Sequence, residues 1–448
     1  MRTVTIAVAD DGAGTLTATT TVSGGPEGTH TTVHKSGENK VESALVPFHN
    51  SYSATTNTPG GTAAQVVATK TLTGRPMADG EFWFGIAYQG ELVGYENLKP
   101  NIGGHVSFDA LHYDTEMLAN LEAAGLAHRT DKDGKLAWTI NYTAYEDLFG
   151  LPNGVSATTW SFGFKVIVVD NGDGTLTATV DYGGVEPLFE NVYGAEAVDA
   201  ALIGTKKLQA AEGLAPADIA GKFTFTVTGE EGAPMPANTS VHNNAEGKVD
   251  FGKIAFTLDD LNKALGEKPE KREHTFTYTV TESGEGAGVT NDAKPPRTVS
   301  FTVTDDSKGN LRVSRKPDGD VAFTFTNTYS VTPVKTSVTD QIAATKVLTG
   351  RDMAEGEFSF ELVEGKDAKV VATGKNAADG KITMNPIEYT KAGTHTYTLR
   401  EVKGNAGGIT YSDAKFTIET TITDKGDGTL EAKHVLEDGV KAATFENG

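Results

Sequence analysis

Three residue types with complementary chemistry recur at fixed distances along this 448-residue chain. A lysine stands in ATKTL (Lys70), GTKKL (Lys206) and ATKVL (Lys346). A glutamate ends YTAYE (Glu146), YTVTE (Glu282) and YTLRE (Glu401). An asparagine follows in FENVY (Asn191), FTNTY (Asn327) and FENG (Asn447). Lysine to glutamate spans 76, 76 and 55 residues; glutamate to asparagine spans 45, 45 and 46. Successive residues of a strand point to opposite faces. Lys70 therefore shares a face with Ala68 and Leu72, Glu146 with Tyr142 and Ala144, and Asn191 with Phe189 and Tyr193, and the other two sets behave alike. Each set aims a cation, a carboxyl and an amide at an apolar interior, where an unpaired charge is expensive. Burial drives a lysine toward its neutral, nucleophilic amine and a carboxyl toward its neutral acid. A neutral acid can polarise an amide carbonyl, and close packing supplies the effective concentration that amine and amide lack in water. The product expected is a Lys–Asn isopeptide bond with ammonia as leaving group, assisted by Glu146, Glu282 and Glu401. In the second set Lys207 is a rival to Lys206, but alternation sends Lys207 to solvent.

The elements that must hold these residues repeat as well. Each set contains a hairpin turn after the glutamate: DNGDGTLTA at Asp170, DDSKGNLRV at Asp305, DKGDGTLEA at Asp424. The first two sets carry 21 extra residues between lysine and glutamate, 76 against 55, holding the amphipathic helix candidates TEMLANLEAAGLA and LDDLNKALGEK. The domain reading is a partial C-terminal half-domain at 1–60, with the turn DDGAGTLTA and the closing FHNSY containing Asn50, then full domains at 61–198, 199–335 and 336–448. Asn50 has no lysine and glutamate of its own in this chain and is expected to be unlinked. A partner peptide supplying the missing lysine strand would complete it. Asn447, one residue from the end, sits on a strand prone to fray. The fold expected is all-β: tandem immunoglobulin-like sandwiches with short helical insertions, arranged as a rod.

Composition narrows the function. The formal net charge of −21 repels nucleic acid and anionic membranes. No run is apolar and long enough to span a bilayer, and neither a signal peptide nor a sorting motif is visible, so the sequence reads as a segment of a larger protein. It has no cysteine. Either the protein lives in a reducing compartment or it is extracellular and uses another staple, and an isopeptide bond is one indifferent to redox state. No cofactor is called for. The Asp-rich turns, including DKDG at Asp131, lack calcium-loop spacing, so no metal is expected. Sixty acidic residues offer carboxylate pairs for glycoside hydrolysis, but none recurs with a shared aromatic cleft. Of the tryptophans, Trp138 and Trp160 alternate with core residues and read as core. Trp83 faces outward and is a possible ligand contact.

The motifs TKTLTGRPM at Thr69 and TKVLTGRDM at Thr345, each followed by an F-x-F strand, Y-T-x-x-E, GDGTL and F-x-N, resemble the streptococcal pilin isopeptide-linkage domain family of Gram-positive surface proteins. KKLQAAEGL departs from that pattern. The resemblance covers about nine-tenths of the chain. It implies spontaneous links Lys70–Asn191, Lys206–Asn327 and Lys346–Asn447, and a stalk or pilus region of an extracellular, cell-wall-attached adhesin rather than an enzyme. Its partners would be the other domains of the same surface protein. The alternative is that domain 61–198 itself binds a host glycan or protein.

Overall fold

The computed structural model describes residues 1–24, 29–36, 50–88, 91–92, 97–266, 271–294, 296–365, 369–437 and 439–448. Strands dominate because Thr, Val, Phe and Tyr alternate with polar residues over six to twelve positions, a pattern that suits a half-buried pleated surface. Two compact units are formed, one from residues 1–70, 82–147 and 160–189, the other from residues 71–81, 148–159 and 190–448.

In the first unit, Trp83–Tyr88, Lys135–Glu146, Ser161–Asp170 and Leu176–Asp181 lie side by side, all antiparallel. Val67–Thr73 pairs through its first residues with His105–Ser107. The helix Thr115–Ala123 starts at Asp114, whose carboxylate accepts the Met117 N–H at 2.7 Å, and it buries Leu118. Thr3–Asp10, Leu16–Ser23 and His30–Lys35 form a separate antiparallel three-stranded sheet.

The second unit contains two cores. One lies between a four-stranded sheet (Lys248–Phe256, Val198–Ala210, Phe323–Tyr329, Val289–Thr290) and a five-stranded sheet centred on Glu273–Gly284. Its helix Leu258–Leu265 opens with a reciprocal cap between Thr257 and Asp260. The other core lies under a six-stranded sheet that includes Ser359–Glu364, Gly393–Glu401 and Lys415–Asp424. In both, the opening and closing strands are parallel neighbours: Val198–Ala210 with Phe323–Tyr329, and Ala343–Leu348 with Ala442–Asn447.

Trp138 is buried, while Trp83 and Trp160 are half-exposed. The reading of Trp160 as core is therefore corrected. The strand containing Phe162 and Phe164 begins only at Ser161, and a break separates it from Val155–Thr159. Alternation holds along a continuous strand and cannot be carried across that break. Among the described residues no helix is long and apolar enough to cross a membrane, and no group of three His, Cys, Asp or Glu could hold a metal ion.

Candidate functional site

The third repeat shows the arrangement most fully. Parallel pairing sets Lys346 opposite Phe445 and Leu348 opposite Asn447, so Lys346 and Asn447 project from one sheet as diagonal neighbours. Glu401 ends the strand Gly393–Glu401 in the facing sheet, held by its register with Phe360. Lys346 Nζ lies 2.9 Å from Glu401 Oε1 and 3.0 Å from Oε2. Asn447 Nδ2 donates to the same Oε1 at 2.9 Å. The Ser412 N–H points at both Asn447 Oδ1 (2.8 Å) and Glu401 Oε2 (2.9 Å). One carboxylate thus touches both the amine and the amide nitrogen, while a backbone donor meets the amide oxygen. The Phe358 ring covers Lys346 Nζ at 4.7 Å, and no water reaches either charged side chain. Burial lowers the Lys346 pKa below its ordinary value; hydrogen bonding and attraction to Glu401 oppose this without cancelling it.

In the second repeat Lys206 Nζ approaches Glu282 Oε1 to 2.6 Å. The contact is off the hydrogen-bonding direction, which leaves both atoms without a directional partner. Burial again lowers the lysine pKa, and the Phe223 ring lies 4.5 Å away. Asn327 is buried, but its amide donates to Asn291 Oδ1 at 2.9 Å and accepts the Asp292 N–H at 2.9 Å. The amine and carboxyl meet here, with the amide oxygen again on a backbone N–H. Lys207 is exposed.

Lys70 in the first repeat donates to both Glu146 oxygens at 3.0 Å, with Phe82 over its Nζ at 4.5 Å. Asn191 is buried on Leu188–Tyr193, opposite Ala157. Asn50 is exposed, and the residues of FHNSY before it lie outside the described residues.

A fourth recurrent residue escaped the sequence reading. Asn101, Asn243 and Asn376 are buried, and each accepts through Oδ1 the N–H of the phenylalanine that covers the lysine: Phe82 (2.8 Å), Phe223 (3.2 Å) and Phe358 (2.8 Å). The turn that follows reaches the lysine backbone, where Gly104, Gly247 and Gly380 carbonyls accept the N–H of Lys70, Lys206 and Lys346. Gly380 has φ +88, and a Cβ there would come within 2.3 Å of the Lys346 carbonyl oxygen, so only glycine fits. The available signal was an asparagine three or four residues before a glycine, in NIGG, NNAEG and NAADG, 30 to 37 residues after each lysine.

Comparison with known proteins gives three kinds of result. No curated protein matches the chain. Similar solved structures include the major pilin of Streptococcus pyogenes, 16% identical over 55% of this chain and 98% of the pilin, TM-score 0.17. The major pilin subunit of Bacillus cereus is 15% identical over 86% and 99%, TM-score 0.19. Two B repeat units of the collagen binding protein of Staphylococcus aureus are 15% identical over 94% and 83%, TM-score 0.22. The family model for the Spy0128-like isopeptide containing domain, FctA, matches three times, at residues 66–194, 202–330 and 342–448. With three matches that together take in most of its length, the chain belongs to the family of Spy0128-like isopeptide containing domains.

Proposed function

We propose that each repeat staples itself with a Lys–Asn isopeptide bond, and that the chain is a structural segment of a Gram-positive pilus or adhesin stalk at the cell surface. Its partners in that role are neighbouring domains and subunits of the same assembly. We take the domains as 61–198, 199–335 and 336–448, preceded by the closing half of another at 1–60. Domains of this family are structural rather than enzymatic, and a link that forms once is a self-modification without turnover.

The observation that carries the reading is the meeting of Lys346, Asn447 and Glu401, with one carboxylate oxygen 2.9 Å from each reacting nitrogen. Glu401 takes a proton from the Lys346 ammonium, leaving a free amine. The amine attacks Asn447 Cγ while the Ser412 N–H steadies the oxygen as it gains charge. Glu401 returns the proton to the departing Nδ2, the C–N bond breaks and ammonia leaves, and the second proton of the attacking nitrogen passes to the Glu401 carboxylate. The amide that remains joins opening strand to closing strand.

Intact-protein mass spectrometry tests this. The expected mass is lower than the sequence mass by one ammonia per linked repeat, with peptide mapping assigning the links to Lys70–Asn191, Lys206–Asn327 and Lys346–Asn447. A mass equal to the sequence mass overturns the reading.

A second reading has its own observation. Trp83 and Trp160 are both half-exposed, and their backbone carbonyls accept the N–H groups of Asp147 and Glu146, so two exposed tryptophans border consecutive residues at one strand end. Such a pair suits stacking on a sugar or a protein surface. Glycan-array binding lost in Trp83→Ala and Trp160→Ala would make the first repeat an adhesin module. Equal signals from wild type and variants would remove that role.

A further inference from the structure

The tyrosine two residues beyond each F-x-N asparagine makes the same contact three times. Tyr52 Oη donates to Asp170 Oδ1 at 2.7 Å, Tyr193 to Asp305 at 2.6 Å, and Tyr329 to Asp424 at 2.7 Å. In each case the acceptor is the first aspartate of the hairpin turn belonging to the next repeat. The glycine four residues later donates its N–H back to the hydroxyl: Gly174 at 3.3 Å, Gly309 at 2.9 Å, Gly428 at 3.0 Å. Three residues past each tyrosine, a parallel bridge joins Thr55 to Thr175, Glu196 to Asn310 and Thr332 to Thr429. At Tyr329 the backbones of the two repeats also meet. Ser330 N–H is pinned by the Gly288 carbonyl at 2.9 Å, and a Cβ on Gly288 would lie 2.6 Å from Gly428 Cα, so the two repeats touch backbone to backbone. The second Asp424 oxygen accepts the Ala215 N–H at 2.8 Å.

We propose that the Asp-to-Gly turn of each repeat is a docking socket, and that the tyrosine beyond the asparagine of the preceding repeat is the plug that fixes the joint between them. The partner it recognises is another domain of this kind carrying F-x-N-x-Y. The hydroxyl is the specific element, because it both donates to the carboxylate and accepts from the backbone, which a phenylalanine cannot do. Asp10 to Gly14 repeats the socket: Asp10 accepts Gly12 N–H as Asp424 accepts Gly426 N–H, and Gly14 and Gly428 have φ +92 and +83. Among the described residues no tyrosine occupies it.

The chain has no cysteine, so spin labels can be placed on Lys253→Cys and Lys403→Cys, two exposed positions on either side of the Tyr329 joint. Pulsed electron resonance should give a narrow distance distribution for the full chain. Tyr329→Phe and Asp424→Ala should each broaden it at least twofold, while the mass shows the same ammonia deficit as the parent. Asp10→Ala, which removes the same carboxylate from a turn without a plug, should leave it narrow. An unchanged width in both joint variants overturns the proposal, as does equal broadening by Asp10→Ala.

Discussion

Burial weakens the hold of Lys346 on its proton, and Glu401 is the main force acting the other way. Replacing Glu401 with Gln removes that opposing force and the proton carrier together. Glu401→Gln is expected to retain one more ammonia than the parent by intact mass, and to lose the staple. The closed segment runs from Lys346 to Asn447, 447 − 346 = 101 residues, for which the chain-entropy model gives about 5 kcal/mol. In this unlinked variant the lysine pKa stays lowered in the folded state, so the unfolded chain binds the extra proton between the folded pKa and the ordinary value of 10.5. Stability of the third repeat should therefore climb as pH rises through that window and fall as pH drops through the folded pKa. Urea titrations at stepped pH check the sign. Asn376→Ala leaves the Phe358 N–H and two carbonyls, those of Ala354 and Ala377, without their partner. A loss of about 1–3 kcal/mol is expected from denaturant unfolding. The burial of the lysines and asparagines was legible in period-two alternation, since each shares a face with apolar residues of its strand. Asn376 was not, because an asparagine ahead of a glycine reads as an ordinary turn until the structure shows where its side chain goes.

Strands, hairpins and both helices could be read from the sequence because each rests on local signals: alternation, Asp-Gly turns, and an acidic or hydroxyl cap before an apolar run. What local pattern could not supply was continuity. Trp160 reads as a member of its strand, but the chain breaks just before Ser161 and the indole turns half outward. The tyrosine joints were hidden for a related reason. Tyr193 and Tyr329 alternate with core phenylalanines and read as core, and only the fold brings them to a turn more than ninety residues later. These joints carry a pH signature. Burial first, then the hydrogen bond to Asp305, pushes the Tyr193 hydroxyl up to about 12. A raised folded pKa means that the contribution is complete below the unfolded value near 10 and is lost as pH rises through the folded value. The joint should thus hold through neutral and mildly alkaline pH and loosen between about 10 and 12. Ultraviolet titration of tyrosinate should show late-ionising tyrosines in the parent and one fewer in Tyr193→Phe.

At the scale of the molecule, the topology decides what a stretching force meets. In the second repeat the chain enters through Val198–Ala210 and leaves through Phe323–Tyr329, and these strands are parallel neighbours. Pulling them apart loads their hydrogen bonds in shear, with everything between Lys206 and Asn327 waiting behind them. That hidden segment is 327 − 206 = 121 residues, about 400–440 Å when fully extended. A Lys206–Asn327 bond would carry the load directly from the entering strand to the leaving one, so the segment would never be paid out. Here the contacts of Asn327 with Asn291 and Asp292 make the second repeat the most discriminating place to look. Single-molecule stretching of the full chain is expected to show no release of this length in the parent. Lys206→Ala should add one step of about that size while leaving the others unchanged. A step of that length in the parent would mean that the second repeat is held by its core alone, and that the force path through this chain is broken at its middle.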